Sequence, residues 1–264
     1  MKKIISLLFV IALFCSCNEY QKALKSEDVG VKFDVATKMY EAKNYNKALR
    51  LFEQIAPSYR GKPQAEKLFF MFSQSYYLTK QYYLAGYQFE SFVSSYPKSE
   101  KTQEAAFLGA KCYSMLSPVY SLDQTDTTKA IEKLQTFIDT YPNSEYLPEA
   151  NKIMKNLNEK LEKKVFENAK GYNTISDYKS ALVALDNFIA DYPGTPFKEE
   201  ALYYKLDSAY QLGINSVPAK MEERLNVAKV AYANLIKFKA DTKYKQKADE
   251  MLVRIEKDLQ KYIK

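Results

Sequence analysis

The 264-residue chain contains no histidine and no tryptophan. Histidine is the commonest general base near neutral pH and the commonest metal-ligating side chain. Its absence excludes Ser-His-Asp and Cys-His catalysis and removes most zinc sites. Carboxylate-only and Ser-Lys chemistry stay open. Ser95-Tyr-Pro-Lys98 and Ser176-Asp-Tyr-Lys179 match Ser-x-x-Lys, but each sits inside a repeated signature and no Lys-Thr-Gly accompanies them. Glycine is scarce, at seven, and there is no Gly-x-Gly-x-x-Gly or phosphate loop. Asp123-Gln-Thr-Asp126 opens like a calcium loop but lacks the central glycine and the closing glutamate. Of three cysteines, Cys15 and Cys17 end the first apolar run, which leaves Cys112 without an internal disulfide partner. It lies in an apolar helical stretch and reads as a buried structural thiol. No block of five or six basic residues exists, so no polybasic tail is indicated, and an exported chain is not expected to meet a nucleic-acid partner.

What the chain does have begins at its N-terminus. Lys2 and Lys3 precede an apolar run from Ile4 to Phe14, then Cys15-Ser16-Cys17. A charged start, about ten apolar residues and a small residue before the cut describe a secretory signal peptide. The run is too short to span a bilayer, which takes roughly twenty residues. Phe14-Cys15-Ser16-Cys17 resembles the lipobox of bacterial lipoproteins, in which the cysteine after the small residue is acylated with palmitate-type chains and becomes the first residue of the mature protein. Cys17 fits that role because Ser16 is small; Cys15 fits worse, after bulky Phe14. An ordinary cleaved signal peptide is the competing reading. Loss of residues 1–16 takes away two lysines and lowers the formal net charge from +7 to +5.

The remainder repeats. Tyr-x-x-Ala is followed by a large apolar residue four positions on, another three later, then often Tyr-Pro-x-Ser/Thr. Copies read Tyr45, Ala48, Phe52, Ile55, Tyr59; Tyr82, Ala85, Phe89, Phe92, Tyr96-Pro97, Ser99; Ala130, Leu134, Phe137, Tyr141-Pro142, Ser144; and Tyr178, Ala181, Leu185, Phe188, Tyr192-Pro193, Thr195. A degenerate fifth reads Ala231, Leu235, Phe238. Steps of three and four place these side chains on one helical face. Small alanines admit a neighbouring helix, and proline after tyrosine ends the helix. Ser99, Ser144 and Thr195 stand where N-caps for the next helix are expected. Second helices are expected over Ala65–Leu78, Ala105–Leu116 and Ala201–Leu212. Such units resemble tetratricopeptide repeats. The expected fold is therefore all-α, a tetratricopeptide-repeat solenoid of about five helical hairpins. Insertions over Leu116–Asp126 and Gly213–Lys220 interrupt the period, and a solvated helix over Asn151–Ala169 lengthens the join between repeats three and four. The domain reading is a signal peptide over 1–16, a lipid-anchored tether over 17–29, repeats one to three over 30–150 and repeats four and five over 151–264.

Lipobox, tether, five such units and no further domain together resemble the BamD family, lipoproteins of the outer-membrane β-barrel assembly machinery. Cys17-Asn-Glu-Tyr-Gln-Lys-Ala-Leu-Lys-Ser and Leu-Asp-Gln-Thr-Asp-Thr-Thr-Lys-Ala-Ile (122–131) are especially similar to its Bacteroidetes-type members; repeats one and five depart by lacking Tyr-Pro. The resemblance implies a non-catalytic scaffold without cofactor, metal or small-molecule substrate. It implies lipid attachment at Cys17 on the periplasmic face of the outer membrane. It further implies docking to the periplasmic domains of a BamA-like barrel protein, mainly through the C-terminal half, and binding of unfolded outer-membrane proteins by the N-terminal repeats. By analogy with tetratricopeptide grooves, Phe33, Thr37, Tyr40, Phe70, Gln74 and Tyr77 would face the peptide. Two other classes stay open: a different periplasmic tetratricopeptide scaffold tied to cell-wall synthesis or division, and a SusD-like glycan-binding lipoprotein, which usually needs the tryptophans missing here.

Overall fold

A computed structural model describes residues 19–262; the apolar leader and Cys17 lie outside the described residues. After a short helical stretch over residues 19–25, the helices are α1 (Val29–Glu41), α2 (Tyr45–Tyr59), α3 (Ala65–Leu78), α4 (Tyr82–Ser95), α5 (Thr102–Leu116), α6 (Thr125–Thr140), α7 (Leu147–Thr174), α8 (Tyr178–Asp191), α9 (Lys198–Ile214), α10 (Pro218–Phe238) and α11 (Lys245–Leu259). No strand occurs among the described residues. Successive pairs form five hairpins, and α11 closes the series. The expected all-α tetratricopeptide architecture is what the chain adopts. Helix contacts divide it into two compact units. One comprises residues up to Pro118 with Asp123–Leu157, the other Val119–Leu122 with Asn158–Lys264.

Tight turns close hairpins one, two and four without glycine. In the first, Asn44 N–H donates to Met39 O (2.8 Å) and Lys43 N–H to Tyr40 O (2.9 Å), with Lys43 at φ +60°. Gln81 and Lys80 (φ +62°) repeat the pair on Tyr76 and Tyr77, and Asp177 and Ser176 (φ +65°) on Tyr172 and Asn173. Paired bonds of this kind satisfy the last carbonyls of a helix and usually place glycine in the left-handed position. With glycine scarce, lysine and serine occupy it.

Joints between hairpins follow a second rule. Ser99, Ser144 and Thr195 do not cap the next helices, which begin three residues later at Thr102, Leu147 and Lys198. Their hydroxyls instead accept the N–H two residues on: Lys101 (3.0 Å), Tyr146 (3.3 Å) and Phe197 (3.3 Å). Thr242 does the same for Tyr244 (3.3 Å). The residue thus fixed lies on an aromatic ring of the preceding hairpin's first helix. Lys101 Nζ stands 5.4 Å over Phe70, Tyr146 stacks on Phe107 at 5.0 Å, Phe197 on Phe166 at 5.7 Å and Tyr244 on Tyr203 at 4.0 Å. Ring contacts of this geometry add about 0.5–1.5 kcal/mol beyond the area they bury.

The repeat alanines behave as the pattern demands in four copies: Ala48, Ala85, Ala130 and Ala181 are fully buried. The fifth copy shifts. Lys239 N–H donates to Leu235 O as Tyr192 N–H does to Phe188 O, so Leu235 stands where Phe188 does and the buried Ala228, not Ala231, matches Ala181. Two further expectations change. The helix read as a solvated join is α7, the first helix of hairpin four, which buries Ala150 and Leu157 in one unit and Phe166 and Ala169 in the other. The second insertion is absorbed by helix: only residues 215–217 lie between α9 and α10. Gly213 serves a close crossing there, since a Cβ would come within 2.8 Å of Leu225 Cδ2. The first insertion does form a loop. Its tip joins the second unit, where Lys163 Nζ lies 4.5 Å over the Tyr120 ring and Lys164 Nζ donates to Leu122 O (2.5 Å).

Candidate functional site

First helices of neighbouring hairpins are tied side by side by polar contacts. Tyr40 on α1 donates its hydroxyl to Gln74 Oε1 on α3. Gln74 Nε2 donates to Glu104 Oε1 on α5 (3.2 Å), and Lys101 Nζ holds the other carboxylate oxygen (2.8 Å). Lys111 on α5 reaches Glu149 on α7 at 2.7 Å. In the second unit Lys170 on α7 reaches Glu200 on α9 (3.1 Å), and Asn173 Nδ2 donates to Asp207 (2.8 Å) and Ser208 (3.0 Å). Tyr40, Gln74, Glu104 and Lys111 are themselves half-buried. Burial pushes the Tyr40 phenol above its ordinary range, so it remains a neutral donor.

The six expected groove residues separate into two sets. Thr37, Tyr40, Gln74 and Tyr77 are half-buried on this row. Thr37 Oγ1 donates to Phe33 O (2.9 Å) within its own helix, while Tyr40 and Tyr77 meet Tyr45 and Tyr82 edge-on at 5.6 and 5.9 Å across the hairpin turns. Phe33 and Phe70 are core side chains, 5% and 9% exposed, and present almost no surface to a ligand in the folded chain. Phe33 stacks on Tyr59 at 5.2 Å, and Phe70 packs on Phe92 at 5.4 Å. Their burial has a physical cause. A first helix packs on its own partner with one flank and on the next hairpin with the other, so its aromatics fill joints. Glu104, Lys101 and Lys111 were missed, although Thr37, Gln74 and Lys111 recur at the same 37-residue interval as Phe33, Phe70 and Phe107.

Other recesses offer no chemistry of their own. An apolar slot of about 280 Å³ between α4 and α6 is floored by Ala105, Ala106, Gly109 and Ala110 and flanked by the Glu90–Lys133 ion pair (2.7 Å). Cys112 is fully buried, and its thiol is pushed up to about 12 by that burial. Among the described residues no group of three or more Cys, Asp or Glu side chains is placed to hold a metal ion, and no helix is long and apolar enough to cross a membrane.

Comparison with known proteins places this architecture. Two curated relatives each carry the description outer membrane protein assembly factor BamD. That of Caulobacter vibrioides is 24% identical over 172 residues, which cover 65% of this chain and 56% of the relative. The match therefore spans little more than half of the Caulobacter protein's length. That of Haemophilus influenzae is 20% identical over 225 residues, covering 81% of this chain and 86% of the relative. Among solved structures, nearly identical TPR-like repeats from Podosopora anserina are 13% identical and cover 79% of this chain and 98% of theirs. Their TM-score of 0.32 is too low to bear on the fold, which rests on the hairpins themselves. The family described as YfiO, outer membrane lipoprotein, matches residues 27–222 and again 162–262, and on that coverage the chain belongs to the YfiO family of outer membrane lipoproteins, the family of BamD.

Proposed function

We infer that this chain is a non-catalytic scaffold of outer-membrane β-barrel assembly, anchored through lipid on Cys17 at the periplasmic face of the outer membrane. Family membership and the two BamD relatives support the general role. The observation that carries the finer reading is the row of polar bridges on α1, α3 and α5. Tyr40, Gln74, Glu104 and Lys101 satisfy one another in the free chain. The same groups can exchange those partners for the backbone amides and carbonyls of an extended peptide, a form of recognition indifferent to sequence. Unfolded barrel precursors present such segments. In this reading Thr37, Tyr40, Gln74 and Tyr77 line the receiving surface, and Phe33 and Phe70 hold its helices in place. The C-terminal repeats, from Phe166 onward, dock the periplasmic domains of a BamA-like barrel protein. The role requires no cofactor, nucleic acid or small-molecule substrate.

Substitution of Phe33 or Phe70 by alanine is unsuitable as a test, because truncating a buried phenylalanine costs about 3–5 kcal/mol. Tyr40→Ala combined with Tyr77→Ala is the informative variant. It should lower photocrosslinking to an unfolded barrel peptide about ten-fold or more, as aromatic anchors do, while co-purification of the large barrel partner from outer membranes stays intact. Loss of the partner with retained crosslinks would reverse the division. Recovery of no barrel protein would overturn the assembly role.

A further inference from the structure

The described part of the segment expected to be a lipid-anchored tether, 17–29, is folded. Residues 19–25 are helical, and Tyr20 and Ala23 are buried at 3% and 1% exposure within the core of the first hairpins. Glu19 is held by Lys38 Nζ at 2.6 Å, and Lys47 Nζ lies 5.2 Å over the Tyr20 ring. Cys17 precedes Glu19 by two positions, and two residues reach at most about 7 Å. The inference rests on the reading that Cys17 carries the lipid. On that reading, the surface beside Tyr20 has no linker to take it away from the bilayer.

That surface has the composition a bilayer face requires. It is the edge formed by the turns of hairpins one and two, where Lys43 and Lys80 stand exposed in left-handed backbone. Lys43 and Lys47 line a depression of about 350 Å³ together with Asn46, Leu78 and Thr79. Leu78 is 43% and Tyr83 65% exposed. Glu41 also lies at this turn, whereas Glu19 is already engaged by Lys38. Lysines interleaved with an exposed leucine and a tyrosine suit the boundary between headgroups and acyl chains. We propose that this edge, with Lys43, Lys47 and Lys80, is a docking surface for the anionic phospholipid headgroups around the anchor, so that the first two hairpins lie directly on the membrane.

Three lysines near an anionic surface raise partitioning on the order of 100-fold at low salt. The chain from Asn18 onward contains every described residue, so it retains the folded body while lacking the lipid. It should co-sediment with vesicles of phosphatidylcholine mixed with phosphatidylglycerol, and not with phosphatidylcholine alone. Lys43→Asn, Lys47→Gln and Lys80→Asn together should reduce this binding by an order of magnitude or more; asparagine tolerates the left-handed turn positions. Lys62→Gln, Lys67→Gln and Lys98→Gln remove equal charge at the other end of the same helices and should leave binding nearly unchanged. Hydrogen exchange on the unsubstituted chain should show vesicle-dependent protection over residues 40–47 and 77–83, a readout independent of how the variants fold. Absence of binding to anionic vesicles, equal loss in both variants, or protection elsewhere would overturn the inference. Because Cys17 is missing from this chain, such a failure leaves the anchor itself untouched, which full-chain fractionation tests separately.

Discussion

Three hairpin turns place Lys43, Lys80 or Ser176 in left-handed backbone, where a side chain costs about 1–2 kcal/mol relative to the right-handed region. Glycine relieves that strain but adds freedom to the unfolded chain, so the net gain is smaller. Ser176→Gly should therefore stabilise the protein by roughly 0.5 kcal/mol, read as a small rise in Tm or in the urea midpoint. These positions were invisible in the sequence, because the usual mark of such a turn is glycine and none is present. Gly213 is the opposite case: with Pro218 its composition argues for a loop, whereas its missing side chain admits Leu225 across a helix crossing. Cys112 was legible, because an apolar helical stretch without another available cysteine leaves burial as its natural fate.

Helices and their pairing were largely legible, because Tyr-x-x-Ala supplies the buried face and Tyr-Pro the stop. The fifth repeat was not, since Lys239-Ala240 replaces Tyr-Pro and only Thr242 survives to mark the joint. The placement of the six expected groove residues was only partly legible. A 37-residue interval shows which positions are equivalent, but not which flank of the helix they occupy, and Phe33 and Phe70 occupy the flank that packs. Thr242 also exposes how the last helix is held. Glu199 on α9 accepts from Thr242 Oγ1 (2.6 Å) and Lys243 N–H (3.1 Å), and its other oxygen from Lys239 Nζ (3.0 Å). The Thr242 hydroxyl and the Lys239 ammonium hold this carboxylate below the usual glutamate range. A depressed carboxylate stabilises the fold above its unfolded value of about 4.3, and that contribution disappears as pH falls through the lower folded value. The urea midpoint of the native chain should accordingly drop more between neutral pH and pH about 3 than that of Glu199→Gln, since every other carboxylate titrates in both. Parallel pH profiles would show that Glu199 does not secure the start of α11.

Anchorage and assembly concern the chain as a unit. A single acyl chain binds membranes only marginally, at about 0.8 kcal/mol per buried methylene, so several chains on one cysteine are needed for a firm hold. Cys17→Ala in the full chain should shift the protein to the soluble periplasmic fraction or stall its processing. Wild-type fractionation of the mature variant would show that a protein partner alone retains it. The joints carry a different consequence, a mechanical one. Neighbouring hairpins are fastened by ring contacts, such as Phe166 on Phe197 or Tyr203 on Tyr244, by shared apolar core and by polar rungs, with no disulfide among the described residues. Load drawn along either unit therefore meets a series of non-covalent joints, each able to open and re-form locally. A unit built in this way should give way in increments and recoil when released, as a spring does.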